Sequence, residues 1–448
     1  MDGNALDSVE SADELAQVID SANSGVTPIA VELRADIRLT DALPSIEADL
    51  TIQGNGHRID GNGLSDSFKV GDGGRLNIIY VNFINGKQEM NTVISNTGEV
   101  DLTNCVFDCR SERSLGSITI YNTIILPWDR KPPSEMKRGE MSLTNCAFLG
   151  DPKRNLGVRL ENLGVLGLAH CTFDESTNGK SSVIFNGHNL TATHCSFVNN
   201  RGAGAGVAIT NEGSVNLSDC VLANNVAYEW GGGALINDKG DMHLNRCSLL
   251  GNSAARGGGA IVNHKGELQL ENCTLMGNTA DNNGGAITSF RHTAFLTNCT
   301  IAGNRAEQGA GLLAYGGDVR LTHVTMVNNS AEIGGGVYAL DEGYKDGIGL
   351  RNSIIAGNQG GDYVGCLDYS VGNLIGDGSC DRSLSGDPML GELVEPEDGS
   401  PAYYPPLPDS PVINAAHRHF CTDSDQIGRR RPYGWTGDIG AIEYISDD

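Results

Sequence analysis

Apolar and polar residues alternate along most of the chain in runs too short for helices. The phrase Leu102-Thr103-Asn104-Cys105-Val106-Phe107 is echoed by Leu143-Thr144-Asn145-Cys146-Ala147-Phe148. Cysteine holds the same slot at 105, 146, 171, 195, 220, 247, 273 and 299, with Val81 before it and Val324 and Ser353 after it. Apart from the interval between Cys105 and Cys146, the steps are 24 to 29 residues. A second tag recurs in the same period: Gly231-Gly232-Gly233-Ala234-Leu235, Gly257-Gly258-Gly259-Ala260-Ile261, Gly284-Gly285-Ala286-Ile287 and Gly334-Gly335-Gly336-Val337. One unit therefore reads as three short strands: the Gly-Gly-Ala-Ile segment, then a Leu-x-Leu segment, then Cys-x-Phe/Leu. Leucine-rich repeats are of similar length, but they need a Leu-x-x-Leu-x-Leu frame that is absent here. Three-strand coils of this period predict an all-β chain, a right-handed parallel β-helix of about twelve coils.

The residue before the cysteine slot supports that reading. It is Asn104, Asn145, His170, His194, Asp219, Arg246, Asn272, Asn298, His323 and Asn352. All but Arg246 are Asn, Asp or His, the non-glycine residues most tolerant of a left-handed backbone, as a sharp bend between strands requires. Stacked amides can also bond along such a ladder, so the histidines here read as structural. The cysteine column reads as buried thiols acting as small hydrophobes. In-register neighbours on parallel strands lie about 4.8 Å apart with parallel Cβ bonds, whereas a disulfide needs about 3.8 Å and a different aim. A linear column also cannot supply tetrahedral metal ligands.

The ends differ from the coils. Leu15, Val18, Ile19 and Ala22 share one helical face, predicting an amphipathic helix within residues 1–25 that plugs the first coil. The β-helix is expected over 26–360, with an insertion loop at about 110–140, and a capping region over 361–448. Sixty glycines suit a chain that turns often. The balance of 31 basic against 56 acidic residues gives −25, which repels nucleic acid and anionic membranes. No apolar run reaches the roughly 18 residues of a membrane span. Met1-Asp2-Gly3-Asn4 has neither a basic nor an apolar leader region, which fits either a protein that stays inside the cell or a mature exported chain restarted with Met; the cysteines favour the second.

The tags Asn-Cys-Thr, Gly-Gly-Ala-Ile and Asp438-Ile439-Gly440-Ala441-Ile442-Glu443-Tyr444 resemble the bacterial choice-of-anchor Q surface proteins. The coils of that family look like polymorphic outer-membrane-protein repeats, and the resemblance covers nearly the whole chain. It implies an exported, cell-surface β-helix in a family without one shared activity. The chain departs from that pattern in ending at Asp448 without a sorting segment, and in having Gly437 where a cysteine commonly precedes the last tag, which leaves the partner of Cys421 open. Cys366 and Cys380 bracket a Gly-rich loop off the ladder and are expected to form a disulfide, which needs an oxidising compartment.

Function is expected on side loops rather than in the scaffold. The long interval after Cys105 holds Trp128, Arg130 and Lys131, types suited to stacking a sugar or holding an anionic glycan, or else to a proline-stiffened loop packed on the coils. Tyr228 and Trp230 form either a glycan shelf or a cover for the next coil. A turn column contains His264, Lys265, Arg291 and His292, with Glu212, Asp238, Lys239, Tyr315, Tyr344 and Lys345. A polysaccharide lyase needs a cation for the uronate carboxylate and a base for its α-proton, and these residue types could serve. A charged turn that simply faces water is the plainer reading. No metal site or cofactor is expected; Ca²⁺ is compatible with the charge, but Ala or Val follows the glycine runs where a calcium β-roll needs Asp. The leading expectation is an adhesin-like monomer that displays loops to a polysaccharide, a cell-surface glycan or a protein partner. The competing one is an extracellular polysaccharide lyase or glycoside hydrolase using a side groove.

Overall fold

A computed structural model describes residues 7–25, 29–64, 67–85, 92–110, 117–123, 138–179, 182–204, 206–340 and 347–446. The chain is an all-β parallel solenoid of about twelve turns with an α-helix at its start, as the period predicts. Each coil contributes one strand to three parallel sheets: face one (the Gly-Gly-Ala-Ile strands), face two (Leu-x-Leu) and face three (Cys-x-Phe/Leu). The chain divides into two compact units, residues 1–202 and 203–448.

In the first unit, α1 (Ala12–Asn23) buries Leu15, Ile19 and Ala22, with Val18 half-buried. The Ser11 hydroxyl accepts from the Glu14 N–H, capping the helix. Asn23 ties the helix to the coils, donating to the Ser45 carbonyl and accepting from the Glu47 N–H. On face two, Leu102 sits between Ile78 and Leu143; on face three, Phe107 sits between Phe83 and Phe148. Alternation then points the same positions inward in every coil. The inner product is an aromatic stack of Phe83, Phe107, Phe148, Phe173 and Phe197, with ring centroids 4.4 to 4.9 Å apart.

In the second unit the same inner column is aliphatic: Leu222, Leu249, Leu275, Ile301, Met326 and Ile355. A buried amide ladder accompanies it. Asn225, Asn252, Asn278, Asn304, Asn329 and Asn358 are joined Nδ2 to Oδ1 at 2.9 to 3.0 Å. Each interior amide is satisfied across coils: Asn252, for example, also donates to the Leu222 carbonyl, and its own N–H donates to Asn278. A second ladder ends the face-one strands, Asn96–Asn122–Asn162–Asn186 in the first unit and Asn211–Asn237–Asn263 in the second. A further short sheet, Val226–Trp230, Ser253–Arg256 and Thr279–Ala280, precedes the glycine runs.

All ten residues before the cysteine slot have a left-handed backbone, φ 48 to 56°, Arg246 included. His170 and His194 stack at 5.0 Å, and Arg246 clamps Asp219 with two bonds of 2.6 Å. The cysteine column is buried and carries no disulfide. Burial pushes the Cys273 thiol well above its ordinary pKa, as expected of inert packing groups.

The expected cap over 361–448 begins too early: Tyr363–Gly365, Leu367–Val371 and Leu374–Ile375 pair as a last coil on all three faces, and the segment that follows lies along the outward side of face three. Val412, Ala416 and Ile439 pack on Ala302, Val327, Ile354 and Ala356. The outward Thr300 donates to Gln426 Oε1 at 2.6 Å, and the Ala441 N–H donates to the Thr325 hydroxyl at 2.9 Å. A fully buried Arg431–Glu443 pair (3.0 Å) holds this segment together, with Arg431 also donating to the Asp438 and Gly440 carbonyls. His323 Nδ1 lies 3.2 Å from the Gly440 carbonyl, and Asn352 Nδ2 lies 3.1 Å from His323 Nε2. Burial, then the nearby Arg431, lowers the His323 pKa to about 3, so the ring is neutral and structural.

Candidate functional site

The glycine runs of the second unit turn so tightly that a side chain could not fit. A Cβ on Gly232 would stand 1.8 Å from the Leu235 carbonyl oxygen, and one on Gly258 equally close to that of Ile261. The segment before each run is thereby drawn over the outward side of face one. There Ile236 and Val262, which alternation turns away from the core, are nonetheless buried.

Beside that cover, each face-one strand hands over to a turn residue whose N–H donates to the coil before. Asp238, His264, Phe290 and Tyr315 donate to Asn211, Asn237, Asn263 and Ser289 at 2.8 to 2.9 Å, so they occupy one column on consecutive coils. Three of the four are rings, all half-buried. Phe290 and Tyr315 stack at 4.8 Å, and His264 meets Phe290 edge-on at 5.9 Å. Trp230, brought round by its glycine turn, meets the other side of His264 at 5.8 Å. The outcome is a stripe Trp230–His264–Phe290–Tyr315 with Trp230 still 42% and the nearby Tyr228 51% exposed. His264 Nδ1 lies 2.7 Å from Asp238 Oδ1, which fixes the imidazole's orientation.

The next turn position is basic: Lys239, Lys265 and Arg291, all exposed. Lys239 is paired with Glu212 at 3.1 Å, and that bond raises its pKa. The structure thus joins two groups that the sequence reading kept apart, Trp230 with His264, and sets Lys265 and Arg291 on adjacent coils. His292 is exposed one position farther along. Phe290, at the centre of the stripe, was missed, because its alignment with His264 depends on the register of the face-one strands. Trp435, 88% exposed on the C-terminal segment, was also missed.

Trp128, Arg130, Lys131, Tyr344 and Lys345 lie outside the described residues. The disulfide expected between Cys366 and Cys380 is not formed: Cys366 faces solvent, whereas Cys380 is buried and its pKa pushed up to about 11 by that burial. Among the described residues no group of three or more His, Cys, Asp or Glu could hold a metal ion, and no helix is long and apolar enough to cross a membrane.

No curated protein matches the chain. Among solved structures, that of the pectate lyase Pel9A aligns over 95% of this chain and 90% of its own, at 12% identity and a TM-score of 0.29. The sequence profile of the right-handed β-helix region matches residues 135–275 and 206–374, together more than half of the 448. The chain therefore belongs to the right-handed β-helix family.

Proposed function

We propose that the protein is an exported or cell-surface β-helix, of the kind implied by its resemblance to choice-of-anchor Q proteins, and that it binds glycan without turning it over. The observation that carries this reading is the outward stripe of Trp230, His264, Phe290 and Tyr315 on successive coils. Rings spaced coil by coil offer apolar faces to consecutive sugars, and the flanking Lys265 and Arg291 offer donors to their hydroxyls or acidic groups. If each ring removes roughly 50 Å² of apolar surface from water, it contributes about 1 kcal/mol. Four such contacts give millimolar-range affinity, which suits a surface protein that gains avidity from many copies.

Calorimetry of the full chain against neutral and acidic oligosaccharides tests this. Trp230→Ala and Phe290→Ala should each weaken binding about fivefold. Binding that survives both changes refutes the stripe as the site. Unsaturated uronate products in the same samples, lost on changing Lys265 and Arg291 to alanine, would make the protein a lyase instead.

A further inference from the structure

The outward side of face two in the second unit carries a cleft of about 260 Å³ lined by Phe295, Thr297, Arg320, Thr322 and Arg351, with Gln269 and the carboxylate of Glu271 at its far end. Strand register sorts these into two columns. Gln269, Phe295, Arg320, Gly349 and Tyr369 form one; Glu271, Thr297, Thr322 and Arg351 form the other. Gly349 makes a notch in the first column. A Cβ there would collide with the Tyr369 ring at 2.2 Å, so the missing side chain lets that ring fold down across the strand.

The notch sets up an unusual arginine. The Arg351 guanidinium lies over Tyr369 at 4.8 Å and over Phe420 at 4.6 Å, held by two rings at once. Arg320, by contrast, is matched by Asp318 through bonds of 2.7 and 2.6 Å and sits over Phe295 at 5.1 Å. No carboxylate among the described residues pairs with Arg351, and its buried Nε and the Tyr369 hydroxyl have no hydrogen-bond partner. The only acidic residue of its column, Glu271, stands three coils away, roughly 14 Å, and faces His243 at 3.7 Å. In a chain of net charge −25 an arginine oriented by rings and left without an anion is a site waiting for one.

We infer that this cleft binds an oxyanion, the carboxylate or sulfate of an acidic saccharide, on Arg351 with the Thr322 and Thr297 hydroxyls beside it. The sugar ring rests towards Phe295. Planar guanidinium geometry matches either oxyanion, and the ring clamp removes much of the side-chain entropy that binding would otherwise cost. The inference rests on the glycan reading for the nature of the ligand, but on different residues.

The test is calorimetry of the full chain with an oligouronate, a sulfated oligosaccharide and a neutral oligosaccharide of equal length. Arg351→Gln should weaken the two acidic ligands about ten- to a hundredfold and leave the neutral one unchanged. The preferred acidic ligand tells carboxylate from sulfate. Thr322→Val, with an expected loss of about threefold or more, is the second variant should Arg351→Gln lose its fold. Unchanged acidic binding in both variants overturns the inference. Loss in Trp230→Ala alone leaves the stripe standing and this cleft refuted; loss in the Arg351 variant alone does the reverse.

Discussion

Both units carry a column of rings on successive coils, and apart from the exposed His170–His194 pair the two columns lie on opposite sides of the wall. In residues 1–202 the ladder is Phe83 to Phe197, inside the coil, with neighbouring planes within 9° of parallel and every ring excluded from water. In residues 203–448 the inner column is Leu, Ile and Met, and the rings stand outside as Trp230, His264, Phe290 and Tyr315. At the outer position the first unit has Thr97, Thr123, Leu163 and Gly187, none of them aromatic. Coil spacing is the same in both, since hydrogen bonding between parallel strands sets it. What differs is the side of the wall, and with it whether the rings are fully buried in the core or left partly exposed on the surface.

The sharpest test of that contrast exchanges one ring from each ladder for alanine. Phe148 is fully buried between Phe107 and Phe173, so Phe148→Ala should cost about 3–5 kcal/mol from lost transfer energy, the cavity and two stacks. Phe290→Ala, at a half-exposed turn, should cost under about 1 kcal/mol while weakening glycan binding. Denaturant midpoints of the two variants check this. Equal losses of stability would mean that the outer stripe is also structural, and the contrast would fail.

The sequence carried the coil well and the site poorly. The cysteine slot and the left-handed column were legible because each depends on one residue type repeating at one spacing. Even Arg246, which breaks the column's chemistry, kept its backbone. The amide ladders left a trace, as in Gly251-Asn252, Gly277-Asn278 and Gly303-Asn304, but those pairs read naturally as turn residues. Their burial follows only once the next coil supplies the partner. The aromatic stripe needed two facts beyond pattern: the exact coil register that aligns His264 with Phe290, and the glycine turn that returns Trp230 across face one. Arg351 was invisible for a similar reason, since its two rings come from Tyr369 and from Phe420 far along the chain.

Acid should separate the units as well, because only the second carries the C-terminal segment locked by His323. The folded ring protonates only near pH 3, against 6.5 for an ordinary histidine. Between those values the unfolded chain binds the extra proton, so the stability contributed by the neutral ring is complete above about pH 6.5 and is lost as pH falls towards 3. At the lower end this is on the order of 4 kcal/mol. Asp438 acts in the opposite sense: burial raises its pKa from 3.8 to about 6, so acid favours the folded form across that interval. The two offset each other between about pH 6 and 4, and only the His323 loss continues below. Hydrogen exchange should therefore show the second unit opening first between pH 4 and 3, and His323→Asn should move that opening to lower pH. Simultaneous opening of both units in the two proteins would break the distinction.

The smallest effect belongs to the bend that both units share. At Arg246 two terms compete. A left-handed backbone costs an ordinary L-residue about 1–2 kcal/mol, less for asparagine. The Arg246–Asp219 clamp, half exposed on the arginine side, contributes about 0.2–1 kcal/mol. Asparagine already fills this bend at Asn104, Asn145, Asn272, Asn298 and Asn352. Arg246→Asn should therefore raise stability by about 0.5 kcal/mol, because relief of the backbone slightly exceeds the lost ion pair. The gain should persist in high salt, where the clamp is screened in the parent protein. A loss above about 1 kcal/mol in low salt that vanishes in high salt would show that the clamp, and not the backbone, governs this coil.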